Sequence, residues 1–134
     1  MREIHIKTIS HNEQRYPTTG DYWRDTNGVE QVRVSDVGNP DYEFLVALHE
    51  LVEWYLTEKR GIKEEDVSAF DIQFEKEIEE GKHPEHAEPG FDPRAPYIKE
   101  HTFAIKIEKE IAEELGIDWE KYSERLQELY GEKG

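Results

Sequence analysis

The hydrophobic positions of the chain alternate at first and then shift to helical spacing. From Ile4 to Ile9 the stretch "IHIKTI" places Ile4, Ile6 and Thr8 on one side and His5, Lys7 and Ile9 on the other, the period of a half-buried strand. "DYWRD" and "VEQVRVSD" read as two further strands around Asn27-Gly28, a strong hairpin signal, with Val32 and Val34 on one face. The region 1–36 is therefore expected to form a small antiparallel sheet.

From residue 40 the period becomes helical. Asn39 is placed to cap a helix, Pro40 suits its first position and Gly61 its end, so 40–60 reads as one helix with Leu45, Leu48, Val52, Tyr55 and Leu56 facing inward. Glu64 to Glu80 repeats the pattern with Val67, Phe70, Phe74 and Ile78, and stops at Gly81. The segment 81–96, "GKHPEHAEPGFDPRAP", holds four of the six prolines and cannot continue a helix, so it is expected to be a long loop, either a surface excursion or a cover over a site. Tyr97 to Leu115 is helical again, with Tyr97, Ala104, Ile105, Ile111, Ala112 and Leu115 inward. After Gly116, Asp118 caps a last helix over 119–130, which carries Trp119, Tyr122, Leu126, Leu129 and Tyr130 at core spacing. The expected class is α+β in a single domain over 1–134, a small N-terminal antiparallel sheet or hairpin followed by three to four packed helices.

Charge narrows the partners. With 32 acidic against 17 basic residues the formal net charge is -15, and such a field repels phosphate backbones and anionic lipid headgroups, so nucleic-acid binding through a basic surface and membrane binding are not expected. Most glutamates sit in runs such as "EKEIEE", which read as solvated helix faces. Cysteine is absent, which leaves histidine and carboxylate as the only strong metal ligands. The N-terminal stretch has no apolar run of signal-peptide length, so a cytoplasmic location is the default expectation. Aromatic residues in the hairpin would make a homodimer unsurprising.

The chemistry lies where polar residues interrupt apolar stripes. In "FLVALHELVEWYL", His49 and Glu53 are four apart and share one rim of the stripe, with Glu50 flanking them. A buried unpaired carboxylate costs several kcal/mol, so Glu53 needs a partner. On the later helix His101 and Glu108 fall within the inward stripe, and two amphipathic helices pack stripe against stripe. Two imidazoles and a carboxylate converging in a cysteine-free core suit a divalent metal, Zn²⁺ first and Fe²⁺, Mn²⁺, Co²⁺ or Ni²⁺ after it. In His-Glu-x-x-His metallohydrolases the first and fifth residues bind zinc and the second is general base. "HELVE" keeps the first two and puts Glu53 in the fifth position, so the expected ligands are His49, Glu53 and His101, the expected base is Glu50, and Glu108 or Glu100 is a fourth ligand or an orienting group. Without an ion the same residues would form a hydrogen-bonded packing cluster. His83, His86, Asp92 and Arg94 read as loop residues, the last two as a salt bridge. His5 and His11 read as surface, and Tyr16, Tyr22 and Trp23 as packing.

The segments "DYEFLVALHELVEWYL" and "EPGFDPRAPYIKEHTFA" resemble an uncharacterised family of small phage and bacterial proteins, and the first is similar, over about ten residues, to the active helix of zincin-type metalloproteases. The resemblance implies a zincin-like sheet plus metal helix, with His49 and Glu53 as ligands and Glu50 as base. The substrate, a peptide or a small molecule, stays open, because peptide, nucleotide and small amide bonds would all suit a metal-activated water. "LHELVE" is also similar to the His-Asp-x-x-Glu helix of HD-type phosphohydrolases, in which Glu50 would replace a metal-binding Asp and an upstream helix would supply a further histidine. A third reading takes Glu50, Glu53, Glu75 and Glu79 as a carboxylate-only Mg²⁺ site. Against all of these stands a non-catalytic domain that binds metal or a protein partner.

Overall fold

The computed structural model describes residues 2–85 and 87–131, for 130 and 131 the backbone only. His86 and the side chain of Tyr130 therefore lie outside the described residues. Three strands, β1 (Ile4–Ile9), β2 (Gly20–Arg24) and β3 (Glu30–Ser35), precede four helices, α1 (Pro40–Lys59), α2 (Glu64–Glu79), α3 (Ile98–Glu114) and α4 (Trp119–Gly131). The α+β class read from the sequence is the one observed.

The sheet is mixed rather than antiparallel. β2 and β3 form the expected hairpin, with Gly28 in the left-handed region at φ 80 and the Asp25 side chain accepting from the Asn27 and Val29 amides. β1, however, pairs with the other edge of β3 in parallel, from Ile4 opposite Glu30 to Ile9 opposite Ser35. The cause is the connection over residues 10–19, which crosses the end of β3. There the Ser35 amide donates to Thr19 O at 2.9 Å, the Asp36 amide to Ile9 O at 2.7 Å, and the Ser35 hydroxyl to Thr18 O at 3.1 Å. A local alternation of side chains carries no information about such a crossing. β1 also fails to become half-buried. Register puts Ile6 opposite Val32, on the side covered by α1, yet α1 lies mainly over β2 and β3, and Ile4 and Ile6 stay exposed.

α1 starts and stops where its end residues dictate. Asn39 Oδ1 accepts from the Asp41 and Tyr42 amides at 3.0 and 3.2 Å, Pro40 needs no amide partner there, and Gly61 at φ 72 lets the Ile62 amide turn back to Thr57 O. Its buried face is Leu45, Val46, His49, Glu53, Trp54 and Thr57. The expected stripe is thus rotated: Tyr55 is 51% exposed and Leu48, Val52 and Leu56 are half-buried, while His49 and Glu53 occupy the middle of the face rather than its rim. Full burial of each large apolar side chain such as Leu45 contributes about 1.5–3 kcal/mol, and it is the pairing of the two polar residues that lets them hold the central positions.

α3 lies alongside α1 and buries Glu100, His101, Ala104, Glu108 and Ala112, a line in which alanines alternate with ionisable residues. Ala104, fully buried, keeps the two helices close. Leu115, expected inward, is exposed at the helix end. α2 and α4 present their predicted core residues, Val67, Phe74 and Ile78 on one and Tyr122 and Leu129 on the other. The proline-rich loop is fastened to α2. Arg94 donates to Glu77 and to Asp92, both at 2.8 Å, and His83 reaches Glu77 at 2.8 Å while stacking on Phe74, so His83 is a half-buried pin and not a solvated residue. No helix among the described residues is long and apolar enough to cross a membrane.

Asn39→Ala removes the side-chain oxygen that accepts both amides at the start of α1 and is expected to cost about 1 kcal/mol. Urea denaturation followed by circular dichroism checks it; an unchanged midpoint would mean that the cap carries no stability.

Candidate metal centre

The centre forms where α1 and α3 face each other beneath β2. Four-residue spacing brings His49 and Glu53 to one point of α1, and α3 delivers His101 to the same point from the opposite wall. His49 Nε2 lies 3.0 Å from Glu53 Oε2 and 3.0 Å from His101 Nδ1, and His101 Nδ1 lies 2.8 Å from Glu53 Oε2. The three residues are 7%, 4% and 8% exposed. They are the one group among the described residues whose ligand atoms converge closely enough to hold a metal ion. A tetrahedral ion with bonds of about 2.0–2.1 Å spaces its ligand atoms by about 3.3–3.4 Å, so a spread of a few tenths of an ångström would admit it.

The surrounding residues decide which atoms are offered. Glu108 is not beside these three atoms but on the far side of the ring, with Oε1 at 2.8 Å from His49 Nδ1. It therefore holds a proton on Nδ1 and directs Nε2, once the second proton is displaced, to the point of convergence, which is the orienting role rather than the fourth-ligand role of the two expected for it. Its other oxygen accepts the Tyr122 hydroxyl. Tyr22 donates to Glu53 Oε1 at 3.0 Å, leaving Oε2 for the cluster. Burial beside these carboxylates pushes both tyrosine hydroxyls up, so each remains a donor. Glu100, the alternative fourth ligand or orienting group, instead accepts from Arg60 at 2.7 Å.

Electrostatics favours a cation at the point of convergence. Burial opposes charge on His49, but the hydrogen bonds to Glu108 and Glu53 outweigh it and hold the imidazole well above its ordinary range. Burial likewise works against the Glu53 anion, yet contacts from His101 and His49 bring its carboxyl down to about 2. His101 Nε2 is buried with no hydrogen-bond partner among the described residues, and Glu88 Oε2 lies 3.9 Å from it. Gly90 packs on the same ring so closely that a Cβ would lie 2.4 Å from it.

Glu50 occupies a different position. Its carboxylate makes no hydrogen bond among the described residues and, with His49, Glu53 and His101, lines a cavity of about 460 Å³. Gly20 permits this arrangement, since a Cβ there would sit 2.5 Å from Glu50 Oε1. Burial pushes the Glu50 carboxyl well up, the charge of Glu53 adds to the effect and His49 opposes it.

Other expectations do not meet here. Glu75 and Glu79 are absent from the cavity wall, so the carboxylate-only site is not assembled. Among the described residues only a 3-10 turn at His11–Glu13 precedes α1, so an upstream helix offering a histidine, as the HD-type reading requires, is not found. His5 is exposed beside Glu3, and His11 contacts Ser35 at 2.9 Å. Arg94 and Asp92 form the expected ion pair. Tyr22, Tyr122, Gly20, Gly90 and Glu88 were not legible as parts of the site, because neither spacing nor residue type ties them to His49. Comparison of the chain with protein-family models, with curated proteins and with solved structures finds no match.

An ion at this point must displace the proton that His49 holds, so affinity for a divalent ion such as zinc is expected to rise with pH, by about tenfold per unit below the His49 pKa, and to level off above it. Competition with a fluorescent chelator at about pH 6 and about pH 8 tests this, and equal affinities at both would contradict it.

Proposed function

We propose that this protein is a zincin-like, metal-dependent hydrolase, with His49 Nε2, Glu53 Oε2 and His101 Nδ1 as the ligands of a single zinc ion and Glu50 as general base. The observation that carries the reading is the convergence of three buried ligand atoms at a cavity that also receives the Glu50 carboxylate, which makes no hydrogen bond among the described residues. Bound zinc would supply Lewis acidity and lower the pKa of a coordinated water. Two imidazoles with one carboxylate are a known zinc donor set, and three protein ligands leave a fourth position open. The carboxylate weakens the Lewis acid compared with a third histidine, which increases the demand on the base.

The chain's own residues divide the remaining work. Glu108 fixes the tautomer and direction of His49, and Tyr22 fixes the rotamer of Glu53. Glu50, held out of full hydration where α1 packs on Gly20 of β2, has a raised proton affinity suited to taking a proton from the attacking water. The water oxygen forms the bond to the electrophilic carbon, the bond to the leaving nitrogen or oxygen breaks, and the proton held by Glu50 passes to that leaving atom. A second reading keeps the ion but not the reaction. The unbroken chain Tyr122–Glu108–His49–Glu53–Tyr22 ties α4, α3, α1 and β2 together, which is what a purely structural site would do.

Glu50→Gln separates the two. In the hydrolase, the variant retains zinc and slows turnover of aminoacyl p-nitroanilides and p-nitrophenyl esters by about 10²–10⁴-fold. Loss of zinc from the variant would make Glu50 a ligand and overturn the assignment of roles.

A further inference from the structure

The cavity beside the cluster has a second polar wall that takes no part in holding an ion. Tyr16 donates to Asp71 Oδ2 at 2.7 Å, and Tyr97 donates to Asp71 Oδ1. Residues of the β1–β2 connection, α2 and the start of α3 thus meet on one carboxylate, and all three line the cavity. Two hydroxyls use about half of the lone pairs that a carboxylate offers, and neither brings a positive charge.

The rest of the wall carries few cations. Asp21 is neutralised from behind by Arg15, whose guanidinium makes two contacts at 2.7 and 2.9 Å, but Glu50 has no arginine or lysine partner among the described residues and Glu88 meets only His101, at 3.9 Å. Arg94, the one arginine of the loop, is committed to Glu77 and Asp92. One lysine, Lys109, also lines the cavity, with its ammonium over the ring of Trp119 at 5.4 Å. Burial pushes the Asp71 carboxyl up to about 7; the hydrogen bonds from Tyr97 and Tyr16 oppose the shift, and the charges of Glu53 and Asp21 add to it. Carboxylate and aromatic rings without a counter-ion form a surface that a buried cation satisfies and an anion does not.

We propose that this wall binds the non-reacting end of the substrate, a cationic nitrogen group such as an ammonium, amidinium or guanidinium, on Asp71 between the rings of Tyr16 and Tyr97. The proposal rests on the hydrolase reading for the word substrate, but the binding itself uses only the chain's own carboxylates. It makes Asp71 a specificity residue and turns anionic substrates, phosphate esters among them, away from the cavity.

The test is calorimetric titration of the full chain, as purified and after chelation, with benzamidine and with benzamide, which share a shape and differ in charge. Benzamidine is expected to bind saturably in both preparations and at least tenfold more tightly than benzamide, and Asp71→Asn is expected to abolish that preference. Equal binding of the two probes, absence of benzamidine binding, or an unchanged preference in an Asp71→Asn variant that melts like the native protein would overturn it. Should that variant not fold, the comparison of the two probes on the native chain still decides. Zinc content measured on the same samples keeps the two ideas apart. Asp71-dependent benzamidine binding without zinc supports this inference and removes the hydrolase; zinc with equal binding of both probes removes only this inference.

Discussion

The structure depends on the mutual satisfaction of two imidazoles and two carboxylates buried between α1 and α3. His49, Glu53, His101 and Glu108 all lie in positions that the hydrophobic spacing of their helices would otherwise give to leucine or alanine. Taking one partner out of such a group leaves an uncompensated charge and costs about 3–5 kcal/mol. The neighbouring residues meet that constraint. Ala104 brings the helices together, Tyr22 and Tyr122 donate to the outer carboxylate oxygens, and Gly90 lets the loop rest against the ring of His101.

The same constraint explains what was readable in the chain. Helix ends are local, so Asn39, Pro40, Gly61, Gly81 and Gly116 mark them directly. The pair His49 and Glu53 is also local, and His101 could be added because only one other stripe carried a histidine. The rotation of α1 is invisible in the pattern, because a helix apolar nearly all round does not reveal which side is covered, and so spacing places Tyr55 inward while it is exposed. Glu108 was correctly grouped with His49, but whether a carboxylate meets the near or the far nitrogen of an imidazole is decided by about 2 Å of ring, below what spacing resolves. The parallel placement of β1 depends on a ten-residue connection, residues 10–19, without any periodic signal. Gly20 and Gly90 are small because of what stands opposite them, and that is a tertiary fact.

Function in this reading follows from asymmetry around one cavity. On one side the carboxylates are compensated by histidines and by tyrosine hydroxyls; on the other, Glu50 and Asp71 are short of positive charge. The proline-rich loop, pinned to α2 through Arg94, His83 and Glu77, supplies Glu88, Gly90 and Phe91 to the cavity and so restricts its access to water. Desolvation then acts twice, raising the proton affinity of Glu50 and strengthening every electrostatic contact inside. A large excess of surface acid adds a long-range attraction for cations.

On the reading proposed above, the histidine and glutamate cluster is an ion site and more than a packing device. The measurement is plasma mass spectrometry on untagged native protein beside His101→Ala. Close to one equivalent of zinc or another divalent transition metal is expected in the native chain, and its loss in the variant. A native protein that is folded, free of metal, and unable to take up zinc after dialysis would contradict it and leave the cluster as a packing device.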